Sequence, residues 1–218
     1  MRLRHIPGSE EAIYKYPYVI EHPEELKNCD YINGKSEVYI EIGMGRGQFI
    51  IESAIQNPDI NYIGIEMYSS VLLKACNKLE SIKEERNIEV NNLKLMNIDA
   101  RKLCEIFPAE SIDRIYLNFS DPWPKNRHEN RRLTSKRFLK LYTKVLKSNG
   151  NLQFKTDNKG LFDFSVESFN ENGWKINEIT YDLHNDKEMN RYNICTEYEE
   201  KFSSLGKKIN KLVAVKPC

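Results

Sequence analysis

Short apolar runs typical of buried strands alternate with segments of helical periodicity along most of this chain. The strands are predicted at residues 37–42, 61–65, 93–98, 112–119 and 151–155, and the helices at residues 48–56, 69–86, 134–147 and 160–172. This alternation predicts an α/β fold, a doubly wound, mostly parallel sheet with helices on both faces. Residues 174–183 and 211–216 are predicted to be two further strands. Because little helix separates them, they are expected to form an antiparallel hairpin at one edge.

Local signals suggest where these elements begin and end. Ser69 or Ser70 is predicted to cap the long helix, and Asp157 the helix over residues 160–172. Asn149-Gly150 is predicted to end the helix over residues 134–147. Residues 1–35 contain proline and tyrosine but little periodicity, so they are predicted to form an N-terminal arm whose tyrosines pack on the rest. Residues 36–218 are then expected to form one domain.

Composition narrows the function classes. The 218 residues are 40% hydrophobic and 30% charged, which is typical of a folded domain with a core. No apolar run is long enough to span a membrane, and no apolar stretch follows the basic segment at residues 1–5, so no signal peptide is expected. The five cysteines are widely spaced without a Cys-x-x-Cys, which favours a reducing cytoplasm. The four histidines show no metal-ligand spacing, so no metal is expected.

Acidic residues and glycines gather at the predicted strand ends. Parallel α/β sheets bind ligands outside the carboxyl ends of their strands, so these residues are expected to share one edge of the sheet. The loop after the first strand has Gly-x-Gly-x-Gly spacing, and an acid closes the second strand about twenty residues on, where it can accept ribose hydroxyls. A pyrophosphate site at the helix N-terminus stays open as an alternative. The strand-end residues are Glu41, Gly43, Gly45, Gly47, Glu66, Asp99, Asp121 and Asp157.

Residues 121–125, Asp-Pro-Trp-Pro-Lys, are the most specific stretch. Two prolines stiffen the backbone around Asp121 and Trp123. The Asp121 carboxylate and the Trp123 ring are therefore expected to be held in place just after the predicted strand at residues 112–119. Residues 125–140 then carry seven Lys or Arg against one acid, Glu129. Such a run is commonly a solvated helix face. Its position beside the strand-end residues favours binding of nucleic acid phosphates instead.

The motifs together resemble the bacterial tRNA (guanine-N7)-methyltransferase family, a class I S-adenosylmethionine-dependent group. The resemblance runs from about Tyr39 to the C-terminus in matching order. It implies a seven-stranded Rossmann-like methyltransferase sheet of order 3-2-1-4-5-7-6, S-adenosylmethionine as cofactor, and methylation of guanine in the variable loop of tRNA. The motifs that carry it are the glycine loop, Asp-Pro-Trp-Pro-Lys, Arg127-His128, Arg131-Arg132, Thr156-Asp157, and Thr196-Glu197-Tyr198-Glu199.

The resemblance implies roles for the cofactor-side residues, and the chemistry and position of the remaining motif residues suggest theirs. The strand-end residues Glu41, Gly43, Gly45, Gly47, Glu66, Asp99 and Asp121 are expected to bind the cofactor. A second group is expected to bind the guanine, and consists of Lys125, Asp157, Thr196, Glu197, Tyr198 and Glu199. A third is expected to contact RNA phosphates, and consists of Arg127, His128, Arg131 and Arg132. For Glu199, Arg131 and Arg132 a solvated surface position is the simpler alternative.

The chemistry of guanine N7 suggests what a catalytic residue must do. N7 carries a lone pair and no proton, so no general base is needed, and positive charge moves from sulfur to the purine. A fixed carboxylate would stabilise that charge, and Asp121 is the predicted catalytic residue. Alternatives are a nucleotide-dependent oxidoreductase, a non-catalytic RNA-binding protein with the same fold, and an amino-methyltransferase acting on adenine or cytosine. The sequence leaves a monomer and a homodimer equally open.

Overall fold

A twisted sheet of eight strands runs through the computed structural model, which describes residues 5–217. The basic residues 1–4 and Cys218 lie outside the described range. The strands are β1 (Val19–Ile20), β2 (Val38–Ile42), β3 (Asn61–Ile65), β4 (Leu93–Met96), β5 (Ile112–Asn118), β6 (Leu146–Thr156), β7 (Lys175–Thr180) and β8 (Asn210–Val215).

The strand order is β1-β4-β3-β2-β5-β6-β8-β7. Strands β1 to β6 pair in parallel, whereas β8 is antiparallel to both β6 and β7. Counted from β2, the order is 3-2-1-4-5-7-6, so the predicted mostly parallel sheet and its antiparallel edge are confirmed. The eighth strand, β1, was not predicted; it extends the sheet beside β4.

Eight α-helices accompany the sheet over the described residues: α1 (Ser9–Ala12), α2 (Asp30–Asn33), α3 (Gln48–Gln56), α4 (Ser69–Arg86), α5 (Leu103–Ile106), α6 (Lys136–Val145), α7 (Lys159–Glu171) and α8 (Glu197–Ser203). Alternate residues of β2 explain why both faces are covered. Val38, Ile40 and Ile42 join the core that includes residues of α6 and α7. Tyr39 joins the core of α3 and α4. No helix within residues 5–217 is long and apolar enough to cross a membrane.

All three of the predicted capping and end signals were wrong. Helix α6 ends at Val145, and Asn149-Gly150 lies inside β6. A Cβ on Gly150 would lie 3.0 Å from the Asp113 carbonyl oxygen, so this glycine serves close approach of two strands rather than helix termination. Asn158, not Asp157, caps α7 by accepting the Leu161 N–H.

The third wrong signal is the capping residue of α4, where Tyr68 occupies the N-cap position without a side-chain bond. The hydroxyls of Ser69 and Ser70 instead bond Ser9 at 2.9 and 3.0 Å. These bonds, together with the Tyr18 hydroxyl that donates to the Cys76 carbonyl, tie the N-terminal residues to α4. The tyrosines of the N-terminal arm were predicted to pack on the domain. Tyr18 does so and is buried.

Gly64 of β3 is the point at which the sheet supports the glycine loop. A Cβ at this position would overlap the sulfur of Met44, inside the loop, and would lie 2.9 Å from Leu95 Cδ2. Gly64→Ala is expected to lower the free energy of unfolding by about 1–3 kcal/mol because the core is overpacked. Chemical denaturation measures this. Gly160→Ala in the first turn of α7, where the nearest atom is 3.5 Å away, is the matched control and should not destabilise the protein. Equal stability of both variants would contradict this account.

Candidate active site

The predicted strand-end residues lie along one edge of the sheet. Strands β2, β3 and β4 end level, because Ile42 pairs with Ile65 and Ile65 with Met96. Asn118 at the end of β5 pairs with Lys155 near the end of β6. The structure therefore brings the glycine loop and the acids of five strands to a common edge, which is the candidate site.

The glycine loop turns tightly because three of its residues adopt left-handed backbone conformations. Gly43, Gly45 and Gly47 have φ angles of 73°, 59° and 76°. The amides of Gly43 and Met44 both donate to the Ile65 carbonyl, at 2.9 and 3.1 Å. The loop is thus bound to the end of β3. A Cβ on Gly45 would meet no atom within 4 Å, so this part of the loop backbone is open to a ligand.

Glu66 fixes the loop from the end of β3. Its carboxylate accepts the amide of Gly45 at 3.1 Å and the amide of Tyr68 at 3.1 Å. Burial raises the pKa of Glu66, and these backbone hydrogen bonds work against that shift. Each carboxylate oxygen retains a lone pair for a further donor. The neighbouring Met67 and Tyr68 are large and exposed, and sequence reasoning missed them as a surface for a planar ligand.

Glu41 is the most deeply buried acid of the edge, with 2% of its surface exposed. Its Oε1 accepts the Asn118 side-chain amide at 2.8 Å. Its Oε2 has no hydrogen-bond partner among the protein atoms, nor has Asn118 Oδ1. Burial raises the pKa of Glu41 to about 8, against the smaller opposing effects of Asn118 and the Lys155 charge. A cationic ligand beside the loop would stabilise the ionised form.

Asp99 follows β4 at the same edge, with its carboxylate engaged by a neighbour. It accepts the Arg101 amide at 2.8 Å and caps the short helical turn at residues 100–102. The Arg101 side chain bonds the other oxygen, and this hydrogen bond lowers the pKa of Asp99. Asp99 is thus ionised and half-buried beside the predicted cofactor position.

Asp121 stands exposed on a loop that the structure holds by its backbone. Phe119 and Trp123, on either side of Asp121, have φ angles of 51° and 41°, which is uncommon for residues with side chains. The Arg132 guanidinium donates to the carbonyls of Pro122 and Trp123 at 3.1 and 3.2 Å. These bonds stabilise the strained loop. Arg132 therefore acts on protein groups here, and this was not anticipated from the charge pattern.

The rest of the basic segment faces outwards beside Trp123. Arg131 lies over the indole ring with its guanidinium carbon 4.9 Å from the ring centroid, and His128 packs edge-on at 5.6 Å. Lys125, Arg127 and Arg131 are exposed. Residues 126–131 form a 3₁₀ helix. Arg131 and Trp123 thus form a cation–aromatic pair close to Asp121 in the chain, and Lys125 and Arg127 are exposed on the same segment.

The Thr196–Glu199 motif begins α8. Thr196 caps this helix by accepting the Glu199 amide at 2.9 Å. Glu199 is fully buried, so the alternative that it is a solvated acid was wrong. Its carboxylate lies 2.6 Å from the Lys155 ammonium and accepts the Asn193 amide at 2.6 Å. Sequence reasoning missed Lys155 and Asn193, because neither residue type in isolation signals a buried partner.

Three other predicted guanine-binding residues make contacts outside this buried pair. Glu197 bridges Lys78 of α4 and Arg46 of the glycine loop. Tyr198 is exposed, and its ring centroid is 6.1 Å from that of Phe119. Asp157 pairs with Lys207 at 3.0 Å. No cluster of three or more potential metal ligands occurs among residues 5–217.

This sheet order and strand-end site define a methyltransferase of the α/β class. The solved structure of an antibiotic-related methyltransferase is similar with a TM-score of 0.64 at 18% identity, covering 91% of this chain and 96% of that one. That likeness establishes the fold alone. A family model described as "Putative methyltransferase" matches residues 35–212.

Curated relatives identify the family more closely. A tRNA (guanine-N(7)-)-methyltransferase of Lachnoclostridium phytofermentans is 51% identical, covering 98% of each chain. One of Bacillus subtilis is 45% identical, covering 96% of each chain. The chain belongs to the tRNA (guanine-N7)-methyltransferase family.

The raised pKa of Glu41 has a consequence for stability. Above pH 4.5 the unfolded chain releases a proton that the folded protein retains up to about pH 8. The free energy of unfolding should therefore fall by a few kcal/mol, to order of magnitude, as pH rises through this range. Glu41→Gln is expected to flatten the fall, as measured by urea denaturation across the range. Glu171→Gln, at an exposed acid of α7, should keep the wild-type slope. An unchanged slope in Glu41→Gln would contradict the assignment.

Proposed function

We propose that this protein transfers the methyl group of S-adenosylmethionine to N7 of guanine in the variable loop of tRNA. The main support for the proposal is that a buried acid and an exposed acid lie along the same edge of the sheet. Glu41 is buried beside an open glycine loop with one oxygen unpartnered by protein. Asp121 is exposed on a braced loop beside a basic, aromatic surface.

The residues at the edge fit S-adenosylmethionine. The cofactor supplies a methyl group on a positively charged sulfur, and it also carries an ammonium group, a ribose and an adenine. Glu41 offers a buried carboxylate to positive charge, and the open backbone of Gly45 permits close approach. Glu66 ends β3 with lone pairs that can accept ribose hydroxyls. Met67 and Tyr68 provide apolar surface for a base beside it, and Asp99 provides an acceptor.

The reaction asks the protein for position and charge rather than for proton transfer. The bond from sulfur to the methyl carbon breaks as the bond from N7 to that carbon forms, and positive charge passes from sulfur to the purine. Asp121 can accept the N1–H and exocyclic amine of guanine and stabilise that charge. Because Arg132 already holds the loop in place, Asp121 does not have to be ordered during the reaction.

The surface beside Asp121 suits an RNA partner. Lys125, Arg127 and Arg131 offer charge to phosphates, and Trp123 and Tyr198 offer aromatic faces to bases. Cys29, Cys76, Cys104 and Cys195 are all free thiols. Free thiols and a tRNA substrate support a location in the cytoplasm.

Incubation with methyl-labelled S-adenosylmethionine and unmodified tRNA, followed by nucleoside digestion, tests the function. The expected label is in 7-methylguanosine. Label in another nucleoside would overturn the assigned nucleotide, and absence of label beside an active control enzyme would favour a non-catalytic RNA-binding protein.

Asp121→Ala should lower kcat on the order of a hundredfold, because a fixed charge opposite the developing cation is lost. Single-turnover methylation measures this. Asp59→Ala removes an exposed aspartate that is likewise next to a proline, just before β3 at the opposite edge of the sheet, and should leave kcat unchanged. Wild-type rates in Asp121→Ala would remove the catalytic role.

Neutralising Arg127 and Arg131 together to Gln should weaken tRNA binding and reduce the slope of log affinity against log salt by about 1.5, since two phosphate contacts are lost. Filter binding across a salt series measures the slope. Lys35→Gln with Lys175→Gln makes the same change of charge at exposed positions where β2 and β7 begin, and should not alter the slope. An unchanged slope for the arginine variant would show that this surface does not bind phosphates.

A further inference from the structure

Lys155 holds the chain segment that precedes and begins α8. Its side chain is 4% exposed near the carboxyl end of β6. The ammonium group lies 2.6 Å from Glu199 Oε2, and it donates to the Ile194 carbonyl at 3.0 Å and to Asn193 Oδ1 at 3.1 Å. All three donors of the lysine are therefore directed at residues 193–199, which we call the clasp segment.

The clasp segment lies between the two halves of the candidate site. Glu197 reaches Arg46 of the glycine loop at 3.8 Å, on the cofactor side. The Tyr198 ring packs near Phe119, two residues before Asp121, on the substrate side. Displacing this segment would therefore disturb both sides at once.

The surroundings of Lys155 show that it serves two acids. Lys155 is the register partner of Asn118 on β5, and Asn118 in turn bonds Glu41. The positive charge of Lys155 favours the ionised form of Glu41. The other face of the ammonium meets the Phe49 ring, with Nζ 5.1 Å from the centroid. Glu199 is further supported by His184 at 3.3 Å and by Asn193. Lys155 is thus the buried cation between an acid of the glycine-loop side and an acid of α8.

We propose that Lys155 is a positioning residue for methyl transfer, which fixes the clasp segment so that the cofactor side and the Asp121 side are held in one arrangement. The proposal rests on the proposed function. A residue that only stabilised the fold would not link the ordering of residues 193–199 to the rate of methyl transfer, whereas Lys155 is proposed to do so. Lys155 touches neither reactant in this account and acts through Glu199, Asn193 and Ile194.

The test compares Lys155→Met with Lys216→Met. Lys216 is a matched control because it too is largely buried, and it too bonds one carboxylate and two carbonyls. Its partners are Glu110, Thr143 and Leu146, near the start of β6, at the far end from the site. Hydrogen exchange of peptides covering residues 193–199 and steady-state methylation of tRNA are measured for both folded variants.

Lys155→Met is expected to accelerate amide exchange in the clasp segment about tenfold or more, and to lower kcat by a similar factor while the KM for tRNA changes less than about threefold. Lys216→Met should leave both readouts at wild-type values. Wild-type exchange and kcat in Lys155→Met would overturn the proposal, as would an equal loss in Lys216→Met.

Asn193→Ala covers the case in which Lys155→Met does not fold. It removes the amide that contacts both members of the pair and leaves Lys155 facing Glu199. Faster amide exchange in the clasp segment and a lower kcat, both smaller in size than in Lys155→Met, would support the proposal. Wild-type values of both would overturn it. If wild-type protein methylates no tRNA, the proposed function fails, and exchange in the clasp segment still decides whether Lys155 holds it.

Discussion

The structure depends on burying ionisable groups beside the carboxyl ends of its parallel strands and giving each a polar partner within the protein. Glu41, Lys155 and Glu199 are all nearly inaccessible to water. Removing one partner of a buried ion pair typically costs about 3–5 kcal/mol, since the remaining charge is left without compensation. The Asn118 amide donates a hydrogen bond to Glu41, and the Lys155 ammonium pairs with Glu199. Of these three groups, Glu41 alone keeps a side-chain oxygen without a hydrogen-bond partner among the described protein atoms.

The second constraint is backbone geometry. Three glycines allow the loop after β2 to fold against β3, and the Glu66 carboxylate fixes it there. The loop that carries Asp121 has no glycine and adopts positive φ angles at Phe119 and Trp123. Such conformations persist where surrounding contacts enforce them, and here Arg132 supplies two hydrogen bonds. Both loops are therefore arranged before a ligand arrives.

Much of the fold could be predicted from the sequence because its strands and helices have distinct periods. The bounds of α3, β3 and α4 were predicted to the residue, since an apolar run, a turn and a helical repeat agree there. Strand β1 was missed because two residues give no periodicity. The cap of α7 was misplaced by one residue, because Asp157 and Asn158 both suit the position; in the structure Asn158 accepts the Leu161 amide while Asp157 pairs with Lys207.

The site was predictable as a set of strand ends but not as a network of contacts. Acids that follow strands can be read from the sequence, and the structure brings them to one edge. Lys155 could not be recognised, since a lysine within an apolar strand gives no sign of the partner that α8 supplies. Arg132 appeared equivalent to Arg131 in a basic run, yet the first bonds backbone carbonyls while the second lies exposed over Trp123.

Under the proposed function, the buried carboxylate of Glu41 stabilises the positive charge of the bound cofactor. A carbon-13 NMR titration of the Glu41 carboxyl group, with and without S-adenosylmethionine, tests it directly. The midpoint is expected near pH 8 in the free protein and should fall clearly when the cofactor binds. A midpoint that stays in place or rises on binding would contradict it.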